Sequence, residues 1–482
     1  EITTRLVGSE MCIRDSDNSR ETPLIAAVLQ QAGDWQDDTG GDHSGDYGSR
    51  SVGIIASTHD DFYFGTYDDA GNMLTNPAAF METDGAKKFL NFNEDGFAGI
   101  AEGGKYYTRD FDGKTAYRVI YRPNMIHPLV AFSTTCVGYA VDFFDTTLGT
   151  PKPLPASDQI WPIKAVFNSL GVIGLLIFMV SFTLVLLDTP VFSALRSGEI
   201  VQPAPVQDSG AKAWYWVLLI IGAVFSGSSF LFCMNTVYSK TTNFFVQTGP
   251  LTIGTWAALC GVFAIFCSAV FYGAYGKKHG WSARRAGLYL NLEQLWKTIA
   301  LAVIVIVVSF GLVFAAHYFF QVDYRMYVVA FKTFGADKVL IALRYLPFFL
   351  LFYVMNSISA NCFNYNTIGG KNGNILIFAF FNALGAIFVV ASQYIYFYAT
   401  GYQLYGLTEG QRIGPIWLFP CMVLLFVTPI MSRIIYKRTR NPYIAGLINA
   451  MFIVMISCSN TTTILGGGEP VSYTHLTLPT KA

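Results

Sequence analysis

The chain has 482 residues, of which 52% are hydrophobic and 13% charged, and its 32 Lys plus Arg balance 32 Asp plus Glu. With no basic excess to neutralise phosphates, nucleic acid is excluded as a partner. The balance is a sum of opposites: residues 17–163 hold 10 basic and 21 acidic side chains, residues 164–470 hold 19 and 8. The first part reads as an acidic soluble domain and the second as membrane.

Both ends are expected to be foreign to the protein. Glu10–Ser16, EMCIRDS, and Val471–Leu476, VSYTHL, resemble the two strands of a translated transposon-end sequencing adapter. Residues 1–16 and 470–482 therefore carry no weight in reading the fold, as with fusion scars. What lies between is expected to be an internal fragment, 17–149 forming one domain, 150–163 a linker and 164–469 a membrane region.

In the first domain, Pro23–Gly33, PLIAAVLQQAG, reads as a buried strand. Gly40–Arg50, GGDHSGDYGSR, is a loop in which Asp42, His43 and Asp46 offer oxygen and nitrogen to a cation. It lacks the spacing of a calcium loop, so a solvated loop is the plainer reading and no metal or cofactor is assigned. Ser51–Phe64 is an apolar run, Val52–Ala56, that ends in Asp60 and Asp61, and Asn76–Leu90 is a helical segment. From Thr115 the chain alternates as a strand does, with Tyr117, Val119 and Tyr121 on one face and Arg118 and Arg122 on the other. Pro123 and Asn124 stop it. Pro128 disfavours the α conformation at His127 and so predicts an extended loop carrying the imidazole. Ser133 caps the next helix, whose apolar face is Val137, Ala140, Val141 and Phe144.

Strand, strand ending in acid, helical segment, strand ending in histidine, helix: this order resembles the C-terminal third of the α/β-hydrolase fold, whose triad runs nucleophile, acid, histidine. The resemblance covers Pro23–Gly149. It implies an α/β class with a parallel sheet, Asp60 as the acid, Asp61 as the alternate, and His127 as the catalytic histidine. No Gly-x-Ser-x-Gly occurs in the chain, so the nucleophile and the oxyanion donors are expected upstream.

Thr146–Pro162 is a Pro-rich, semi-rigid connector. Beyond it, apolar runs long enough for a ~30 Å hydrocarbon core recur at Ala165–Leu187, Ala213–Met234, Leu251–Tyr275, Thr298–Phe320, Tyr345–Ile368, Asn374–Ala399, Pro415–Tyr436 and Tyr443–Leu465. If the first runs inward, the inner side holds Arg196, Lys212, Lys277, Lys278, Arg284, Arg285, Lys297, Lys371, Arg433, Lys437, Arg438 and Arg440. The outer side holds only Lys240, Arg325, Lys332, Lys338, Arg344 and Arg412, so the positive-inside rule faces the acidic domain outward. The whole resembles large bacterial membrane proteins in which an exported hydrolase precedes a multi-span tail, which implies a bacterial cell membrane. The segment Asp323–Arg344, basic and amphipathic, is expected to lie along the outer surface.

Outside the apolar runs only Cys136 remains, so no disulfide framework is readable. Asn356, Asn361, Asn364 and Asn366 in the fifth run, and Asn449, Ser457, Ser459 and Asn460 in the last, are read as hydrogen-bonding glue between helices. His317 is read as interfacial. The function expected is a membrane-bound serine hydrolase acting on an ester, thioester or amide, with the bilayer and a small-molecule, lipid or peptide substrate as partners. The alternative is a polytopic transporter or sensor whose outer domain binds ligands.

Overall fold

The structure, a computed structural model, describes residues 24–35, 43–68, 73–149, 151–197, 209–322, 324–364 and 368–464. The adapter-like ends, Asp42 of the candidate cation loop and Asn366 lie outside them. The chain divides into two compact units, one of residues 1–164 with 391–416, the other of 165–390 with 417–482.

The first unit carries strands β1 (Ala27–Gln31), β2 (Ser51–Ile55), β3 (Thr66–Tyr67), β4 (Met73–Thr75), β5 (Tyr107–Phe111) and β6 (Lys114–Tyr121). Four of them form one sheet in the order β1-β2-β6-β5. β1, β2 and β6 are parallel, with Val28 opposite Val52 and Ile54 opposite Ile120. Every residue of β2 is buried, as a central parallel strand covered on both faces must be. Val52 and Ile54 pack on one face with Trp35, Phe80 and Phe89; Ile55 packs on the other with Val130, Cys136 and Phe143. Gly53 lets that second face close, because a Cβ there would stand 2.7 Å from Leu29 and 3.0 Å from the Phe143 ring.

The sheet is mixed and not all-parallel as predicted: β5 runs antiparallel to β6. Its cause is local. Asp112 (φ 48°) and Gly113 (φ 80°) make a two-residue turn with both central residues left-handed, the geometry that suits hairpin twist. β3 and β4 form a separate antiparallel pair.

Asn76–Leu90 is a 3₁₀ turn, Pro77–Glu82, followed by α1 (Asp84–Leu90). Asn76 accepts from Ala79 N and Thr83 from Ala86 N, each satisfying a first-turn donor. α2 is a single turn, His127–Val130. α3 (Thr134–Leu148) begins at Ser133, whose Oγ accepts from Cys136 N at 3.3 Å. Its buried face is Cys136 and Phe143; Phe144, assigned to that face from the sequence, is 36% exposed. The face is turned by one residue. The connector does not hold itself away from the domain, since Gln159 Nε2 donates to Thr134 O at 2.9 Å and Ala156 O at 2.6 Å.

Among the described residues, eight helices are long and apolar enough to span a bilayer: α4 (Trp161–Leu187), α5 (Ser209–Thr236), α6 (Thr248–Ala274), α7 (Leu292–Phe320), α8 (Ala336–Ile358), α9 (Gly370–Thr400), α10 (Glu409–Thr439) and α11 (Pro442–Ser459). The protein is therefore a multi-pass membrane protein. α11 is the most enclosed, with Ile444, Ile448, Ala450, Phe452 and Cys458 at 0% exposure. Glycines admit the close crossings that lipid-embedded helices rely on. A Cβ on Gly385 of α9 would meet the Ala223 carbonyl of α5 at 2.5 Å, and one on Gly446 of α11 would meet Val354 Cα of α8 at 2.8 Å.

Asparagines link α8 to α9, α11 to α10, and the end of α11 to the segment that follows α7. Asn356 Nδ2 donates to Asn382 Oδ1 at 2.6 Å, Asn449 to Thr428 O at 3.2 Å and Asn460 to Ala330 O at 2.8 Å. The basic segment after α7 does not lie flat as a surface helix. It folds as hairpin β7 (Tyr324–Met326) and β8 (Val329–Phe331), β8 fully buried, and then enters α8. Arg433, counted as an inner-loop charge, is instead 2% exposed within α10. Its Nε donates to Asn361 Oδ1 at 2.7 Å, and its Nη2 to Ala360 O at 2.5 Å and Asn374 Oδ1 at 3.0 Å. Asn361 and Ala360 lie in a π turn, Ser359–Phe363, that continues α8. His317 is exposed in the last turn of α7.

Candidate active site

Parallel pairing of β2 and β6 sends both chains out at one sheet edge. It persists past the strands through Ala56 N to Tyr121 O (2.9 Å), Thr58 N to Pro123 O (3.0 Å) and a bridge between His59 and Ile126. The loops that follow thus leave side by side, one carrying Asp60 and Asp61, the other His127.

Asp60 is fully buried and its carboxylate is well supplied with donors. Oδ1 accepts from the backbone N–H of Phe62 and of Tyr63, each at 2.9 Å, and Oδ2 from Ser57 Oγ at 3.3 Å. His127 Nδ1 lies 3.1 Å from Oδ1 and 3.0 Å from Oδ2. The backbone bonds fix the carboxylate and the carboxylate fixes the ring. Phe62 meets the imidazole edge-on at 5.1 Å and Tyr63 lies nearly parallel to it at 5.9 Å.

His127 does not sit on an extended loop as predicted; it is the first residue of α2. The extended conformation falls one residue earlier, at Ile126 (φ −86°, ψ 157°), the N-cap. Pro128 fits because the first turn of a helix leaves N–H groups unpaired, and proline has none to leave.

Burial disfavours the imidazolium, but the charge and hydrogen bond of Asp60, helped by Asp61, outweigh it and raise the His127 pKa above 6.5. Asp61 behaves differently from its neighbour. Burial first, then the Asp60 charge, push its carboxyl up to about 8, against the opposing pull of His127 and the Tyr394 hydroxyl. At neutral pH the Asp61 carboxyl therefore holds its proton.

Residues 391–416, the end of α9 and the start of α10 with their connection, pack on the same edge. Tyr398 stacks on His59 at 4.4 Å and Phe397 meets it edge-on at 5.3 Å. Gln403 Nε2 donates to the Asp61 carbonyl at 2.7 Å, and the Arg412 guanidinium lies 4.3 Å over the Tyr67 ring. No local signal in the sequence connects these residues to Asp60, since Gln403 lies 342 positions beyond Asp61. Burial lowers the His59 pKa, and it pushes the Tyr67 phenol up to about 12.

Arg118 of β6 is buried, and Arg122, just past its end, is partly so. Arg118 is 2% exposed, donates to Arg50 O and to Gly48 O at 3.0 Å, and lies 4.5 Å over Phe92. Arg122 donates to Ala56 O at 2.9 Å and Ala78 O at 3.1 Å, holding the exit of β2. Burial lowers both pKa values to about 10.

In the candidate cation loop, His43 Nδ1 is engaged by Asp46 at 2.8 Å. Among the described residues no group of three His, Cys, Asp or Glu is placed to hold a metal. Chemically, the Asp60–His127 pair is a fixed-tautomer imidazole backed by a buried carboxylate, able to take and return a proton at its other ring nitrogen. No protein-family model, curated protein or solved structure matches the chain.

Proposed function

We propose that the chain is part of a membrane-bound serine hydrolase, its first unit the C-terminal portion of an α/β-hydrolase-like domain. The observation that carries this is the seating of Asp60 against His127 Nδ1 at 3.0–3.1 Å where parallel strands β2 and β6 end. Open α/β sheets place functional groups at that carboxyl edge. Parallel neighbours β1, β2 and β6 in chain order are what the hydrolase resemblance requires; the β5 hairpin is an addition to it.

In this reading Asp60 holds the tautomer and offsets the imidazolium charge. His127 takes the proton of a serine hydroxyl at Nε2 as the serine attacks an ester, thioester or amide carbonyl, then delivers it to the leaving group. The serine and the backbone oxyanion donors belong to sequence upstream of the chain. Asp61, protonated beside the pair, is not the working acid. Since His59 and Asp61, on either side of Asp60, meet residues 391–416, an amphiphilic substrate reaching the site from a bilayer surface is the class it suits.

The parent protein, with its upstream sequence restored, should hydrolyse a short-chain aryl ester and take up a fluorophosphonate at an upstream serine, while the 482-residue chain does neither. Probe uptake at any serine of the chain itself, or full activity in the His127→Ala parent, would overturn the assignment.

A further inference from the structure

The second unit holds a cavity of about 150 Å³ between α5, α6, α8 and α9. A space of that size accepts a single six-membered ring or a short stretch of hydrocarbon. Its walls are aromatic, with Phe225 stacked on Phe263 at 4.1 Å and Tyr215 5.3 Å from Phe271. One group among them is out of keeping. Asn364 lines the cavity, is 1% exposed, and its Nδ2 has no hydrogen-bond partner among the described residues.

The orientation of that amide is set by a relay. Arg433 has donors only, so Asn374 must turn Oδ1 toward it, at 3.0 Å. Asn374 Nδ2 then donates to Asn364 Oδ1 at 3.2 Å, which leaves Asn364 Nδ2 as the donor that remains. Leaving such a donor buried and unpaired is unfavourable, so an acceptor supplied from outside is bound with a gain. The other amides of the cavity do not share the defect, because Asn356 donates to Asn382 and Asn382 to Leu425 O.

The layout along the helices is graded. Asn364 follows the end of α8, beside Tyr215 in the first turns of α5, whose hydroxyl donates to Phe363 O, and Phe271 in the last turn of α6. Gly222, Ser226 and Asn382 line the part nearer mid-helix. Beyond these helix ends follow Lys212, Lys277 and Lys278, all exposed. A hydrogen-bond donor at the helix ends, an apolar trough running inward from it and cations beyond it match a phospholipid in its three parts.

We propose that this cavity is a lipid site: an acyl chain of a bilayer phospholipid enters between α5 and α6, and its ester carbonyl oxygen accepts from Asn364 Nδ2. It is independent of the hydrolase reading, and its test needs no turnover. The 482-residue chain in nanodiscs of phosphatidylcholine would be photolysed with a trace of phosphatidylglycerol bearing a mid-chain diazirine, and labelled peptides would be quantified by mass spectrometry. The expected result is label on 222–226 and 264–268 in excess over the exposed α4 face at Val166, Phe167 and Leu170.

Gly222→Phe adds a ring where a new Cβ has no atom within 4 Å, so the fold is retained while the trough fills and the label falls to the α4 level. Asn364→Leu, or an ether-linked probe without the carbonyl, removes one hydrogen bond and lowers the label by about tenfold. Equal label on cavity and α4 peptides, or undiminished label in folded Gly222→Phe, would overturn the site. Undiminished label with both Asn364→Leu and the ether probe would overturn the carbonyl contact and leave a water on Asn364 as its explanation.

Discussion

At the scale of residues, the adjacent carboxyls of Asp60 and Asp61 make distinct predictions. Asp60→Asn in the parent protein should cut ester hydrolysis by about 10³–10⁴-fold with the fold retained, because the imidazole loses its tautomer lock. In the wild-type parent, kcat/KM should fall as pH drops through a value above 6.5, since the working form is neutral His127 and its pKa is raised. Asp61 is checked by stability. Between its ordinary value of 3.8 and about 8 the folded chain holds a proton that the unfolded chain has lost. Stability therefore declines as pH rises across that window and levels off above it. Asp61→Asn should remove this decline, so thermal unfolding in detergent at pH 5 and pH 8 should show the variant gaining on wild type at the higher pH. A wild-type advantage that grows with pH would contradict the buried, protonated assignment.

At the scale of elements, period and punctuation made the parallel strands, the Ser133 cap and the apolar spans legible in the sequence. Several misses had signals of their own. The Asp112–Gly113 dipeptide between Phe111 and Lys114 is a hairpin signature, and reading it would have given β5 its antiparallel place. The α3 face was misplaced by one position because Cys136 and Phe143, the residues under the sheet, are diluted by apolar neighbours all round the helix. Arg118 carried no signal at all, because a strand's polar face is known to be covered only when the covering residues, here Phe89 and Phe92, are in place. Gly53 is the most constrained point of the first unit. Gly53→Val should destabilise by about 1–3 kcal/mol as Leu29 and Phe143 are forced aside, measured as a lowered unfolding midpoint. Gly385→Leu should separate α5 from α9 and cost the second unit its monodisperse elution in detergent.

At the scale of the whole molecule, the contact of residues 391–416 with the sheet edge is a check on the span count. α4 to α9 are six helices, and an even number of crossings returns the chain to the side from which it set out. Tyr398 and Gln403 can meet His59 and Asp61 only if that parity holds. Parity does not say which side is outside; the outward placement expected from the basic loops, with Arg433 withdrawn from their count, is tested by labelling. In a cysteine-free parent, Ser49→Cys, on the exposed turn before β2, should react with an impermeant thiol reagent on whole cells and Lys278→Cys should not. The reverse pattern would place the acidic unit, and the reaction proposed for it, in the cytoplasm. None of this assembly was legible from Asp60 and His127 alone, because sequence patterns report neighbours along the chain and not partners hundreds of residues away.

The same contact imposes a schedule on biosynthesis. Asp61 leaves the ribosome 342 residues ahead of Gln403, an interval of roughly 17–70 s at ~5–20 residues per second. Through that interval the edge bearing Asp60 and His127 exists without its outer wall, and closing so long a loop comes late in folding. The imidazole and its carboxylate are thus assembled early, and the wall beside them arrives only once the sixth and seventh spans are inserted, so a chain whose membrane insertion fails keeps the Asp60–His127 pair without that wall.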